Sequence, residues 1–525
     1  MSRLGLTLLL LAIETAAGAV STNAVRVWRG TEDIPTYEED PPDVNPPFDL
    51  FSSTRFNYPY TLREGITDRR TRRTWRTLNI ENEYLKLTVL PDMGGRIWRC
   101  VDKASGTQMF YANPSLKFVN MAYRGVWATF GVEFNFPISH NWMTSSPVDF
   151  ATVEKADGSG SIFVGNVDLP YGMQWRVELT LGPGRSVLEQ RTTLYNRSDE
   201  RKRFYWWTTA AIEAWDDSEI VYPMSFTAPH GFTEIDTWPV TSKGVDLSRP
   251  GNHVYGPVSL FSHGDREPFM GVYHPRTRAG VIHYASPADL PAKKIWSWGA
   301  DADGRDWRKA LADNDSTEIE VQAGLFRNQE TYAFLEPQES IRFTEYWLPV
   351  REIGGFSRAT VDAVVNLERA NSANGRNALL VGVNVTRQVA EGRIKIEEAD
   401  RVVVEEPFNL SPSGVFRKEY PVRDANGRYT VEVFDHDGVS LVRHTEGVYA
   451  EVPRSEVKVG AQSAYRFPLP DTRSEGDFVE LGKRQELDGK LLVAWATYED
   501  GLRRFPESYE LAKASGRLAV HLKRI

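Results

Sequence analysis

At 525 residues the chain is too long for one typical domain, and 41% hydrophobic with 25% charged residues is the balance of a globular protein. A net charge of −9 gives no support for nucleic-acid binding, and the single cysteine, Cys100, excludes any internal disulfide. The 15 Trp, 21 Tyr and 25 Phe are an unusual supply of flat rings, most expected in cores and some available to pack on the apolar faces of sugars.

Residues 1–19 read as a secretory signal, with Arg3, an apolar run from Leu4 to Ile13, and the small residues Ala17-Gly18-Ala19 at the cleavage site. That run is too short to span a bilayer and no later run could, so a secreted or periplasmic bacterial protein without a membrane span is expected. Residues 20–74 read as an extended arm packing on the next domain, because prolines 35, 41, 42, 46 and 47 rule out a continuous helix or central strand. The basic run Arg69-Arg70-Thr71-Arg72-Arg73 within it is read as a solvated strand entry rather than a phosphate patch.

From 75 to 350 strand follows strand, as in YLKLTVL (84–90), QWRVELTL (174–181) and RFYWWTTAAIEA (203–214), separated by turn signals such as Asp157-Gly158. No segment of helical period stands out in this span, which predicts a large antiparallel β-sandwich. Residues 351–376 read as a linker carrying a short amphipathic helix, ATVDAVVNLERAN. The strands of 377–452, with Asn426-Gly427 and Asp437-Gly438 as hairpin turns, predict a smaller immunoglobulin-like sandwich. In 453–525 the period becomes helical, and Gly482, Gly489, Ala494, Tyr498 and Pro506 fall at tetratricopeptide-repeat spacings. A lone repeat cannot bury its own face. Such helices either dock on the sandwich or mark a shortened relative of chains with a full array, the second being favoured here, and they offer a surface for a protein partner.

Four polar constellations lie in the large domain. In GVEFNFPISHNW (131–142), a strand would put Gly131, Glu133 and Asn135 on one face and Val132, Phe134 and Phe136 on the other, as for a strand lining a cleft, with His140 just beyond. In TTAAIEAWDD, Thr209, Ala211 and Glu213 share a face. KKIWSWGADADGRDW carries Trp296, Trp298, Asp301, Asp303 and Trp307; its DADG lacks the later ligands of a calcium loop and reads as a turn. In TEIEVQAGLFRNQE, Glu318, Glu320 and Gln322 share a face, followed by Gly324, Asn328 and Gln329. A lone strand acid is usually just the wet face and a lone loop histidine usually structural, but the glycine and aromatic flanks of Glu133 and Gln322 suit a dense site. His230, His253, His263 and His274 show no metal-ligand spacing, and the phosphate-loop, nucleophile-elbow and zinc-helix motifs are absent, so no metal and no cofactor is expected.

Carboxylates, amides and tryptophans suit an oligo- or polysaccharide. The catalytic candidates are Glu133, Glu320, Glu213 and His140. Asn135, Gln322, Asn328 and Gln329 are candidates for holding hydroxyls, and Trp127, Trp142 and Trp298 for stacking on sugar rings. Glycosidic hydrolysis by the pair Glu133 and Glu320 is the first expectation. A non-catalytic glycan-binding module and a sugar mutarotase or epimerase are the alternatives.

The stretches NIENEYLKLTVLPDMGGRIW (79–98), GVEFNFPISHNW (131–142) and VQAGLFRNQETYAFLEPQESIRFTEYWLPV (321–350) resemble an uncharacterised bacterial domain family that often precedes tetratricopeptide arrays. NYPY at 57–60 and the proline-rich arm fit its N-terminal part, so that the resemblance covers about residues 25–350. It implies a galactose-mutarotase-like β-supersandwich, a fold shared by sugar epimerases, polysaccharide lyases and glycosidases, and therefore no one reaction. In aldose epimerases of that fold a Glu base and a His acid open the sugar ring; no stretch here matches their Asn-Pro-His segment. Arg96, in GGRIW, sits where the fold often places a substrate-contacting arginine.

Overall fold

The computed structural model describes residues 25–43, 58–262, 265–329, 331–371, 377–422, 424, 426–457, 459 and 469–524. The signal-peptide expectation falls outside them. Alternation of apolar and polar residues builds the strands of the large domain. In Leu188–Asn196, for example, Leu188, Gln190, Thr192 and Leu194 are buried while Glu189, Arg191, Thr193 and Tyr195 point outward. Among the described residues these strands form a 12-stranded and an 8-stranded antiparallel sheet. Their inner faces share one core, with Ile97, Val132, Phe134, Ile212 and Val321 from the first sheet meeting Trp175, Val177, Leu188, Val281 and Trp347 from the second.

The described part of the arm packs on the large domain as a strand of its sheet, with Ile34 buried beside Trp75, Leu90 and Leu116. Arg26–Glu39 is the edge strand of the 12-stranded sheet, paired along its length with Ile66–Glu81. Pro35 is tolerated because one side of an edge strand needs no ladder donor. The basic run sits on the exposed part of Ile66–Glu81, where Arg69 pairs with Glu38 and Asp40, and Arg70 with Asp313.

Two segments depart from the sequence reading. Ala302–Leu311 is a helix, α1, inside the span expected to be all strand. Asp301 caps it by accepting from the Gly304 amide (3.0 Å), Asp303 lies in the first turn, and Arg308 and Lys309 lie in the last. DADG is thus a helix start. The expected helix at 359–371 is instead strand: Ala363–Asn371 pairs with Asn377–Val385. Val365 packs in the core of the second unit while Val364 packs against Phe269 and Val350 of the large domain, so both faces are apolar and the period-2 signal is lost.

That second unit is a small sandwich of two four-stranded sheets around Val365, Val381, Ile394 and Val431. Arg351, the last residue of the large-domain strand Ser340–Arg351, pairs bidentately with Asp102 of the same domain (2.6 and 2.6 Å) and reaches the second unit by donating to the Pro412 carbonyl and, through its amide, to Asn384 Oδ1 (2.8 Å). Three helices follow, α2 (Glu475–Leu487), α3 (Leu491–Arg504) and α4 (Tyr509–His521). Gly482 is where a repeat needs it: a Cβ there would stand 2.1 Å from the Tyr498 ring. The helices dock on the large domain, where Arg201 bridges Glu336 (2.5 Å) and Glu486 (3.3 Å), and Arg517 meets Glu486 as well. Among the described residues no helix is long and apolar enough to cross a membrane.

Candidate functional site

The strands Val132–Asn135, Trp207–Ala214, Thr317–Gly324 and Ala292–Ser297 are consecutive neighbours in the 12-stranded sheet. Their register sets Thr209 opposite both Glu133 and Gln322, Ala211 opposite Glu320, and Glu213 opposite Glu318. On the next strand Lys294 faces Gln322 and Trp296 faces Glu320. Residues directly opposite share a face, so three of the four constellations and part of the fourth meet on one surface, away from the core. Thr209 and Ala211, the residues on this face between Glu133 and Glu320, are small. Gly131 makes the crossing possible. Its φ is 50°, and a Cβ would stand 1.6 Å from the Ile97 carbonyl oxygen.

Glu133 is 1% exposed and its carboxylate is fully engaged by its own chain. Trp127 Nε1 donates to Oε2 (3.0 Å), the Thr144 hydroxyl donates to Oε1, and His140 Nδ1 lies 3.2 and 3.3 Å from the two oxygens. Burial alone would raise the carboxyl pKa, but the His140 charge and hydrogen bond, the Arg96 charge and the Thr144 hydroxyl outweigh it and bring it down to about 2. On the other side, burial pulls the imidazolium pKa down and Glu133 pushes it up; the net direction is up.

His140 sits in left-handed backbone (φ 43°), fixed by its own amide donating to Asn135 Oδ1 (2.6 Å) and its carbonyl accepting from the Tyr123 amide (3.0 Å). Asn135 is thereby occupied, its amide group donating to Thr209 Oγ1 (3.2 Å). The His140 side chain keeps 25% exposure, and among the described residues its Nε2 makes no hydrogen bond.

Glu320 heads a chain of hydrogen bonds along the face. Gln322 Nε2 donates to Glu320 Oε2 (2.6 Å), Gln329 Nε2 to Gln322 Oε1 (3.0 Å), and Lys294 Nζ to Gln329 Oε1 (2.6 Å). Glu320 Oε1 makes no hydrogen bond among the described residues. Burial raises the pKa of this carboxyl, with Lys294 and His140 working against the rise. Glu318, two residues earlier, is fully buried and raised by burial and by Glu320. It accepts from Trp298 Nε1 (3.1 Å) through Oε1 in the wall of the site.

Other expected site residues have structural duties. Arg96 is 2% exposed, donates to the Ala128 and Phe130 carbonyls (2.7 Å each) and lies 3.9 Å from the Phe130 ring centroid, so it braces the sheet beneath Glu133. Trp127, Trp142 and Trp298 are buried, with ring faces already covered: Trp127 by His140 and Trp298, Trp142 by Tyr60, Tyr123 and Tyr171, Trp298 by Trp296 and Trp307. Asn328 turns its Oδ1 onto the Thr331 amide and hydroxyl. Glu213 is half-buried, its pKa raised by burial, at the Glu318 end of the face.

The partly exposed ring beside Glu320 is Trp296. It and Lys294 were reachable from sequence, since KKIWSW alternates onto the same face; Thr144, in a loop, left no signal. Among the described residues the one set of His, Cys, Asp or Glu close enough to hold a metal ion, Asp435, His436 and Asp437, is in a turn of the second unit.

Residues 53–350, more than half of the chain, match the family described as Domain of unknown function (DUF5107). The chain belongs to that family. Behind its DUF5107 domain, residues 358–444 match the YphG-like protein, second domain. A solved structure of a TPR-domain containing protein from Parabacteroides distasonis is 25% identical to the chain, with a TM-score of 0.57 over 62% of this chain and 55% of that one. The chain thus spans little more than half the length of that protein. A putative aldose 1-epimerase from Klebsiella pneumoniae subsp. pneumoniae (13% identical, TM-score 0.38, 53% of this chain and 80% of that one) and a galactose mutarotase-like protein from Lactobacillus casei (13%, 0.39, 52% and 99%) are looser matches. Overlaps that loose carry no argument about chemistry.

Proposed function

We propose that this face binds a sugar and that His140 and Glu320 move protons on its ring, opening and reclosing the hemiacetal. One observation carries the reading. The Glu133 carboxylate is committed to Trp127, Thr144 and His140, which leaves His140 Nε2 and Glu320 Oε1 without hydrogen bonds among the described residues, on one face of the sheet. His140, kept protonated by Glu133, gives its proton to the ring oxygen. Glu320 takes the proton of the anomeric hydroxyl, the bond from the anomeric carbon to the ring oxygen breaks, and closure on the other face of the carbonyl returns both protons. Trp296 supplies an apolar ring beside Glu320, and the chain from Lys294 through Gln329 and Gln322 orients the Glu320 carboxylate.

Glycosidic hydrolysis is the second reading, favoured by the opposite directions in which the Glu133 and Glu320 pKa values are displaced. It requires Glu133 to give up a partner, which places it second. Export from the cell belongs to the same reading and is supported by the signal-like residues 1–19.

The test is the chain from Val20 onward against free aldoses, with anomer exchange followed by NMR, and against polysaccharides, with reducing ends counted. Anomer exchange supports the first reading. Reducing ends without exchange move the assignment to hydrolysis, and saturable binding with neither leaves a glycan-binding module.

A further inference from the structure

Beside His140 runs a ladder of rings and guanidinium groups that the proton-transfer step does not use. Arg124 lies 5.4 Å from the Tyr60 ring centroid, Tyr60 stacks on Trp142 (6.1 Å), and Trp142 packs on Tyr171 (5.8 Å). The Tyr171 hydroxyl accepts from Arg203 (3.1 Å), and Arg203 lies 5.2 Å from the Tyr332 centroid. The ladder is joined to the site by its backbone, since Trp142 is two residues past His140 and Tyr123 donates its amide to the His140 carbonyl. Tyr60, Tyr171 and Tyr332 are partly exposed and Arg203 is exposed.

Both guanidinium groups lack a carboxylate at ion-pair distance among the described residues. Among the described residues Arg124 is held by neutral acceptors, the Thr61 carbonyl (2.8 Å), the Thr61 hydroxyl (3.1 Å) and the Ser146 hydroxyl (2.9 Å). Burial, then the neighbouring Arg63, lowers its pKa to about 10, with Tyr60 and Glu39 working against the fall, so it remains a cation at neutral pH. Arg63, by contrast, is neutralised by Glu39 (2.6 Å). Asp168, an acid close to Tyr60, is buried and turns its oxygens to the amides of Tyr171 and Met173. In a chain of net charge −9, two cations without an ion-pair partner among the described residues, separated by stacked rings, suit a surface that discriminates by charge.

We infer that Arg124 and Arg203, with the tyrosines between them, form a subsite for an acidic oligosaccharide, one whose sugars carry carboxylate or sulfate groups and extend outward from the ring held at His140 and Glu320. The rings pack on the apolar faces of the sugars and the guanidinium groups pair with the anionic substituents. The inference rests on the sugar-binding reading above and names its substrate class.

Calorimetric titration of the full chain with trigalacturonate, a heparin-derived tetrasaccharide and neutral cellotriose tests it, at about 50 and about 500 mM NaCl. At least one acidic probe is expected to bind tenfold or more tightly than cellotriose at low salt, with the advantage shrinking at high salt; which probe wins separates carboxylate from sulfate. Arg124→Gln and Arg203→Gln are each expected to remove most of that advantage. Should Arg124→Gln fail to fold because it also holds Thr61 and Ser146, the exposed Arg203 carries the test alone. Glu320→Gln should keep the charge preference. Equal binding of neutral and acidic probes, or a preference untouched by Arg203→Gln, would overturn the subsite and leave the sugar reading standing. Absence of binding to every probe would overturn both.

Discussion

Glu133 and His140 hold each other in their charged forms, and the sign of each shift fixes where that matters. Glu133 has a depressed pKa, so its stabilisation is present above its ordinary value of 4.5 and is lost as pH falls toward about 2. His140 has a raised pKa, so its contribution is full below its ordinary 6.5 and disappears as pH rises through the folded value. The pair therefore supports the fold most between those two ordinary values. In an NMR titration the His140 ring is expected to show a midpoint above 6.5, falling in Glu133→Gln, and that variant should lose about 3 kcal/mol near pH 6. An unchanged midpoint would show that the carboxylate does not hold the ring. At this scale sequence reading found the residues but not their commitments. Glu133 reads as a free acid until Trp127 and Thr144 are seen to fill it, and three tryptophans read as platforms until their faces are seen covered by other rings.

At the scale of elements, period-2 alternation put Glu133 with Asn135, Thr209 with Glu213, and Glu318 with Gln322 before any strand order was known. What alternation cannot supply is that these strands are neighbours; that comes from long-range pairing. The same limit explains the misread elements. The strand at 363–371 is apolar on both faces because it lies between two cores, and α1 is announced mainly by its Asp301 cap. Gly131 marks where the Glu133 strand passes against the carbonyl of Ile97. Gly131→Ala brings together positive φ and a direct clash, and is expected to cost at least about 2 kcal/mol, read from the denaturant midpoint. A midpoint equal to wild type would mean that the crossing is looser than the structure shows.

Across the whole molecule, the large sandwich, the small sandwich and the helical tail are joined by ion pairs. Arg358 with Glu267 links the two sandwiches, and Arg201 and Arg517 with Glu336 and Glu486 link the tail. Repeat-like spacing in the tail was visible in the sequence; its docking was the less favoured of two alternatives there, because Arg201 and Glu336 read as ordinary surface residues until Glu486 approaches. Glu486 also accepts from the Tyr498 hydroxyl (2.6 Å), so Glu486→Ala leaves Arg201, Arg517 and Tyr498 short of a partner. Hydrogen exchange in α2 to α4 should rise in that variant while the 12-stranded sheet keeps its protection; no change in the helices would show that the cluster does not hold them.

Anomer exchange on wild type, His140→Gln and Glu320→Gln, with the free sugar that wild type turns over fastest, decides whether His140 and Glu320 are a proton-transfer pair acting on a sugar ring. Each substitution is expected to slow exchange by about 100-fold or more while the sugar still binds. Exchange at the wild-type rate in either variant would contradict the assignment.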